Sequence, residues 1–211
     1  MESRAREVKA RVNPAIRMRF IPGHFATNHS HINYFIDLTQ VKTGHHDAML
    51  VADVLADHYQ AKSVDTIVCM DETQMIAAFM ASELSNSHNG INAEKNINVL
   101  IPEYNVNSQM IFRDNLQKMV WKKNVLLLIA SATTGKTIKR SVECINYYGG
   151  KPVGVAAVFS AIESVSGVEV FSIFKGDDVP GYQTYSYKDC PFCTAQKKID
   201  AIVNSNGYMK I

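Results

Sequence analysis

Short runs of consecutive apolar residues alternate along this chain with stretches in which apolar positions recur every three or four residues. Residues 33–38 read as a strand, and residues 43–59 then place Met49, Val51, Ala52, Leu55 and Ala56 at helical spacing. Residues 65–70 form a β-branched run that stops at Asp71, followed by Ile76, Ala77, Phe79, Met80 and Leu84 at helical period. Asp71 is expected to cap that helix, with Gln74 completing a capping box. A Ser-, Asn-, His- and Gly-rich loop over 85–90 precedes a short strand over 98–101, closed by Pro102. The polar, weakly patterned stretch 103–117 predicts a mobile loop leading into a short helix.

Val125, Leu126, Leu127, Leu128 and Ile129 are apolar without interruption, which suits a central parallel strand buried on both faces. A helix over 137–148 follows, ended by Gly149 and Gly150, and strands are expected over 152–159 and 168–174. Strands alternating with helices imply βαβ units, a parallel sheet and right-handed crossovers, hence an α/β fold. At 211 residues the chain predicts a single domain over 1–211, with the stretch from about 182 to 211 as a C-terminal appendage.

Composition narrows the function classes. Lys and Arg number 22 against 20 Asp and Glu, a net charge of +2. That field is too weak to coat a polyanion, so nucleic acid is not expected as a partner. No apolar run approaches bilayer-spanning length, so no membrane partner is expected either. Four cysteines, two of them (Cys69 and Cys144) in apolar stretches, predict a reduced cytoplasmic protein.

The candidate chemistry sits after the apolar strand. Ser131, Ala132, Thr133, Thr134, Gly135, Lys136 and Thr137 join a buried strand to a helix, where backbone N–H groups, Thr hydroxyls and the helix dipole favour phosphate. An ordinary strand-to-helix turn with Thr137 as N-cap is the plain alternative. The same residues nearly spell the Walker A pattern, with Ala130 in place of its first glycine, and residues 66–72 resemble a strand ending in an acidic pair. In P-loop proteins, however, that pair usually follows the loop.

The better match is to the type I phosphoribosyltransferases, closest to the orotate phosphoribosyltransferases. Their signature is an apolar strand, two acidic residues, two variable ones and Thr-Thr-Gly-x-Thr. Val125 to Leu128 resemble the strand, and Thr133, Thr134, Gly135 and Thr137 resemble the loop at the same spacing. Residues 24–37 are similar to the family's N-terminal segment, and Thr43-Gly44 opens the next helix as it does there. The order of elements matches over about residues 20–175.

The resemblance implies a central parallel sheet flanked by helices, with a small N-terminal hood over about residues 1–35. It also implies a homodimer, magnesium, and a phosphorylated ribose or nucleotide as ligand. Asp71, Glu72 and Thr73 fall at the family's pyrophosphate-loop position, and residues 102–115 at its mobile loop.

Three departures matter. The acidic pair that binds the ribose hydroxyls in the family is replaced by Ile129 and Ala130, which can neither accept a hydrogen bond nor ligate a cation. Asp71 and Glu72 would repel pyrophosphate unless a metal bridged them. The mobile-loop stretch has no lysine and only Arg113. A retained phosphate cradle with missing chemistry implies a protein that binds a phosphoribosyl ligand with weak or lost catalysis; an active form would be a transferase acting on a pyrimidine or related base.

Cys190-x-x-Cys193 has the spacing of half a zinc site. Completing it requires histidines from elsewhere or the same pair from a second subunit; free or weakly redox-active thiols are the alternative. His24, His29, His31, His45 and His46 read as surface or hydrogen-bonding residues.

Overall fold

The computed structural model describes residues 1–86, 90–106 and 109–211. β1 (Arg6–Lys9), β2 (Arg17–Ala26) and β3 (His31–Asp37) form an antiparallel meander. α2 (His45–Tyr59) stands where the sequence predicts a helix, and a further short helix, α1 (Thr39–Thr43), precedes it, the two separated by Gly44 in an extended conformation (φ −84°, ψ 117°). α2 buries Ala48, Val51, Ala52, Leu55, Ala56 and Tyr59, the i, i+3, i+4, i+7 stripe of an amphipathic helix.

β4 (Thr66–Cys69) leads into α3 (Gln74–Asn86). Ser85 and Asn86 of the expected loop complete that helix, and residues 87–89 lie outside the described residues. β5 (Asn98–Leu100) follows, then β6 (Glu103–Tyr104) and β7 (Met110–Ile111), which pair antiparallel in the stretch expected to be loop. Each strand is two residues long, too short to leave an alternating pattern to read. Residues 107–108 of that stretch lie outside the described residues.

α4 (Asp114–Gln117) precedes β8 (Asn124–Ala132), α5 (Lys136–Tyr147), β9 (Lys151–Ser160), the short β10 (Ser164–Val165) and β11 (Val168–Lys175). The remaining elements are β12 (Thr184–Tyr185), α6 (Pro191–Thr194), β13 (Ala201–Asn204) and β14 (Gly207–Lys210).

One six-stranded sheet runs β10-β11-β9-β8-β4-β5, parallel throughout except for the β10 hairpin strand. β8 is buried on both faces, as its unbroken apolar run predicts. Leu126, Leu128 and Ala130 join the core under α2 and α3, while Val125, Leu127 and Ile129 join the core under α5, with Ile138, Val142 and Ile145. Burying each leucine contributes about 1.5–3 kcal/mol, so a polar side chain mid-strand is not tolerated.

The second sheet runs β12-β3-β2-β13-β14, with β1 and β13 sharing the far edge of β2. The C-terminal stretch, expected as an appendage, supplies three strands to this sheet. β13 runs parallel to the end of β2, with Ala201 beside Phe25. N- and C-terminal segments therefore build the hood together, over the carboxyl ends of the parallel strands.

Candidate functional site

β8 continues through Ser131 and Ala132, which pair with Phe159 and Ser160, so the first two residues of the candidate loop are strand. Thr133 and Thr134 turn the chain, and Gly135 starts the helix with left-handed angles (φ 71°, ψ 1°). Gly135, not Thr137, is thus the N-cap. The bond from Lys139 N–H to Gly135 C=O (2.8 Å) opens the helix. The N–H groups of Lys136, Thr137 and Ile138 have no partner within the helix and point out of its positive end.

The same register removes the Walker-type alternative. A P-loop opens at its first glycine, but here Ala130 is buried strand, which leaves three residues between strand and helix. No wide phosphate-wrapping loop fits into that length.

A cavity of about 240 Å³ opens at this turn. Residues 131–138 form one wall; Thr27, Asn28 and His29 from the β2–β3 turn and Val203, Asn204 and Ser205 from the β13–β14 turn form the hood side. Phe35, Phe159 and Tyr182 make an apolar end, where the Tyr182 ring meets Phe159 edge-on at 5.1 Å. The Tyr182 hydroxyl is buried, with the Thr184 side chain beside it. Burial raises its pKa to about 12, with Thr184 pulling the other way.

Ile129 lines the cavity, whereas Ala130 packs on the opposite face of β8. Asp71 is the only carboxylate among the described residues lining the cavity. It does not cap α3. Asp71 and Glu72 both take left-handed angles (φ 54° and 62°), which cost a non-glycine residue roughly 1–2 kcal/mol each. Thr73 starts the helix instead: its hydroxyl donates to Met70 C=O (2.6 Å), and its own carbonyl accepts from Ala77 N–H (2.9 Å). Lys42, buried at 8% exposure, braces this turn by donating to Asp71 C=O (3.3 Å), the Glu72 carboxylate (3.4 Å) and Ser205 C=O (2.6 Å).

Burial pushes the Asp71 carboxyl from 3.8 up to about 6, against the opposing pull of Lys42 and of the Ala130 N–H that it accepts. A native pKa above the ordinary value means that ionisation costs folding energy. The penalty is absent below about pH 4, grows towards pH 6 and is complete above it. Asp71→Asn keeps an oxygen acceptor and tolerates left-handed backbone. It is expected to raise stability by on the order of 1–3 kcal/mol at pH 8 in urea denaturation, a gain that shrinks as pH falls below about 6. An equal gain at every pH would contradict this account of the carboxyl.

Of the histidines, His29 lines the cavity, whereas His24 and His31 turn away and meet the cysteines. His24, His31, Cys190 and Cys193 bring one donor atom each to within 4.8 Å of one another, a group that could hold a metal ion. Of the two readings given to these histidines, surface or hydrogen-bonding, His24 takes the second: it is fully buried and its ring nitrogens meet Lys197 C=O and His31 Nδ1. The signal that could have found the pair is their position flanking one tight hairpin turn.

No protein-family model matches the sequence, and no curated protein matches it. Solved structures do match the fold. The adenine phosphoribosyltransferase of Thermoanaerobacter pseudethanolicus superposes with a TM-score of 0.52 at 13% identity, over 82% of this chain and 96% of that one. The Leishmania donovani adenine phosphoribosyltransferase gives 0.51 at 13% identity, over 71% and 73%. A phosphoribosyltransferase from Corynebacterium diphtheriae gives 0.50 at 17% identity, over 74% and 90%. The chain thus has a type I phosphoribosyltransferase-like fold, as the resemblance implied. No helix among the described residues is long and apolar enough to cross a membrane.

Proposed function

We propose that this chain binds a 5-phosphoribosyl ligand, phosphoribosyl pyrophosphate or a nucleoside monophosphate, and that its catalytic turnover is weak or lost. The observation that carries the reading is the cavity itself. At one end the unpaired N–H groups at the start of α5, with the Thr133, Thr134 and Thr137 hydroxyls and Lys136, suit a phosphate dianion. Apolar side chains, Phe35 and Ile129 among them, also line the cavity and suit the less polar part of such a ligand.

Magnesium would find one carboxylate here, that of Asp71, and would need phosphate oxygens and waters for the rest of its shell. When bound it would offset the repulsion between that carboxylate and a pyrophosphate. Glu72 is held by Lys42, so it adds little. On the same reading the chain acts in the cytoplasm as a homodimer.

Calorimetric titration with phosphoribosyl pyrophosphate, orotidine monophosphate and other nucleoside monophosphates tests the proposal, with light scattering on the same samples for assembly. Micromolar binding of at least one, weakened by Lys136→Ala, is expected. Binding by none of them would overturn the proposal.

A further inference from the structure

Away from the phosphate turn, the hood holds a second cluster that the phosphoribosyl reading does not use. We propose that His24, His31, Cys190 and Cys193 together ligate one structural zinc ion, which ties the β2–β3 hairpin to the C-terminal segment. The cluster joins residues more than 150 positions apart: His24 near the end of β2, His31 at the start of β3, Cys190 as the N-cap of α6 and Cys193 within it.

Several distances already have the size of a tetrahedron's edges. His24 Nε2 lies 3.0 Å from His31 Nδ1, 3.5 Å from Cys190 Sγ and 3.6 Å from Cys193 Sγ, and Cys193 Sγ lies 3.3 Å from His31 Nδ1. Zinc bonds of about 2.3 Å to sulfur and about 2.0–2.1 Å to nitrogen give edges of roughly 3.3–3.8 Å. All four donors lie within 4.8 Å of one another, so an ion at the centre requires side-chain shifts of up to about 1 Å.

Hydrogen bonding alone does not satisfy the arrangement. His24 Nδ1 lies 2.9 Å from Lys197 C=O, to which it can only donate, so the proton sits there and Nε2 offers a single lone pair. That one lone pair faces three neighbours in a buried position. The Nδ1 bond to a backbone carbonyl is also the outer-shell contact that orients a ligating histidine. Two thiolates would balance the charge of a divalent ion, and two sulfurs with two nitrogens select zinc among common divalent ions. Four protein ligands leave no open position, so the ion is structural and not catalytic.

The position of the clasp gives it a consequence for the cavity. His24 and His31 flank the turn that contributes Thr27, Asn28 and His29 to its wall. From α6 the chain passes to Asp200, whose carboxylate accepts from His24 N–H (2.9 Å) and whose N–H donates to His24 C=O (2.7 Å). It then enters β13, whose far end supplies Val203 and Asn204. Both hood walls are thus anchored at the metal cluster. Tightening of the cavity by the ion rests on the phosphoribosyl reading; occupancy by the ion does not.

Metal analysis of full-length protein, expressed with added zinc and purified without chelator, is expected to find one zinc per chain. Cobalt exchanged into the same protein should give thiolate charge-transfer and tetrahedral d–d absorption. Cys193→Ser and His31→Ala, at the more exposed ligands, should each lower the metal ratio towards zero and bring the melting temperature down to that of chelator-treated parent protein. Chelation should also weaken nucleotide binding; unchanged affinity would remove the coupling to the cavity and leave the metal site standing. Metal-free protein that gives no thiolate charge transfer with cobalt, or a Cys190–Cys193 disulfide, would overturn the site whatever the ligand titrations show.

Discussion

Given magnesium, orotate and phosphoribosyl pyrophosphate, the purified protein is expected to turn over far below the usual enzyme range of about 1–1000 per second. Ile129 lines the cavity and offers no oxygen to a ribose hydroxyl or a cation, and Ala130 is turned into the opposite core. A missing charge-assisted contact costs about 1.5–3 kcal/mol, so its loss at position 129 alone costs roughly tenfold to a hundredfold in rate. The only basic residue of the 102–115 stretch is committed elsewhere: Arg113 forms a two-pronged ion pair with Glu103 (2.7 Å at the shortest) at the base of the β6–β7 hairpin. It would have to break that pair to meet a leaving pyrophosphate. The Ile129→Asp, Ala130→Asp double variant is the comparison. Because only position 129 faces the cavity, any gain in turnover should come from Ile129→Asp alone, and Ala130→Asp should cost stability by burying a carboxylate. Turnover of the unmodified protein within the usual range would sink the prediction.

What could be read from the chain divides along physical lines. Elements whose burial is periodic or complete announced themselves: the all-apolar β8, the stripe from Ala48 to Tyr59, and the glycine stop after α5, where Gly149 is left-handed (φ 73°). The strand-to-helix turn over 131–137 was legible because its signals are local, resting on neighbouring residues and a helix start. The metal cluster was only half legible. A Cys-x-x-Cys turn is a local signal, but the histidines that complete it come from the other end of the chain, and only the pairing of β13 with β2 brings them together. The C-terminal strands carried a readable cue: Ala201 and Val203 are buried while Ile202 and Asn204 are exposed, before the turn signal Asn204-Ser205-Asn206-Gly207. Four residues are too few for that alternation to stand out. The Asp71 cap failed for a different reason. Local rules favour Asp at a helix start, but the turn after β4 is held left-handed by tertiary contacts to Lys42 and Ala130.

Gly135→Ala is expected to weaken nucleotide binding a hundredfold or more and to destabilise the fold at the same time. Gly135 holds φ at 71°, which costs a residue with a Cβ roughly 1–2 kcal/mol. The added methyl would also lie 2.6 Å from Val165 Cγ2 and 2.7 Å from Ile162 Cδ1, closer than carbon atoms pack. Overpacking of this kind typically costs a further ~1–3 kcal/mol. The strain is relieved by moving the turn away from β10, and that motion carries the N–H groups of Lys136 and Thr137 off the phosphate. Two charge-assisted bonds at about 1.5–3 kcal/mol each, against 1.4 kcal/mol per tenfold in affinity, give the expected hundredfold. Calorimetry and thermal melting of the variant read the two effects separately. Val165→Ala added to Gly135→Ala opens the space but leaves the backbone strain, so it should restore part of the stability and part of the affinity. Affinity in the single variant within threefold of the parent would mean that the start of α5 does not hold the phosphate.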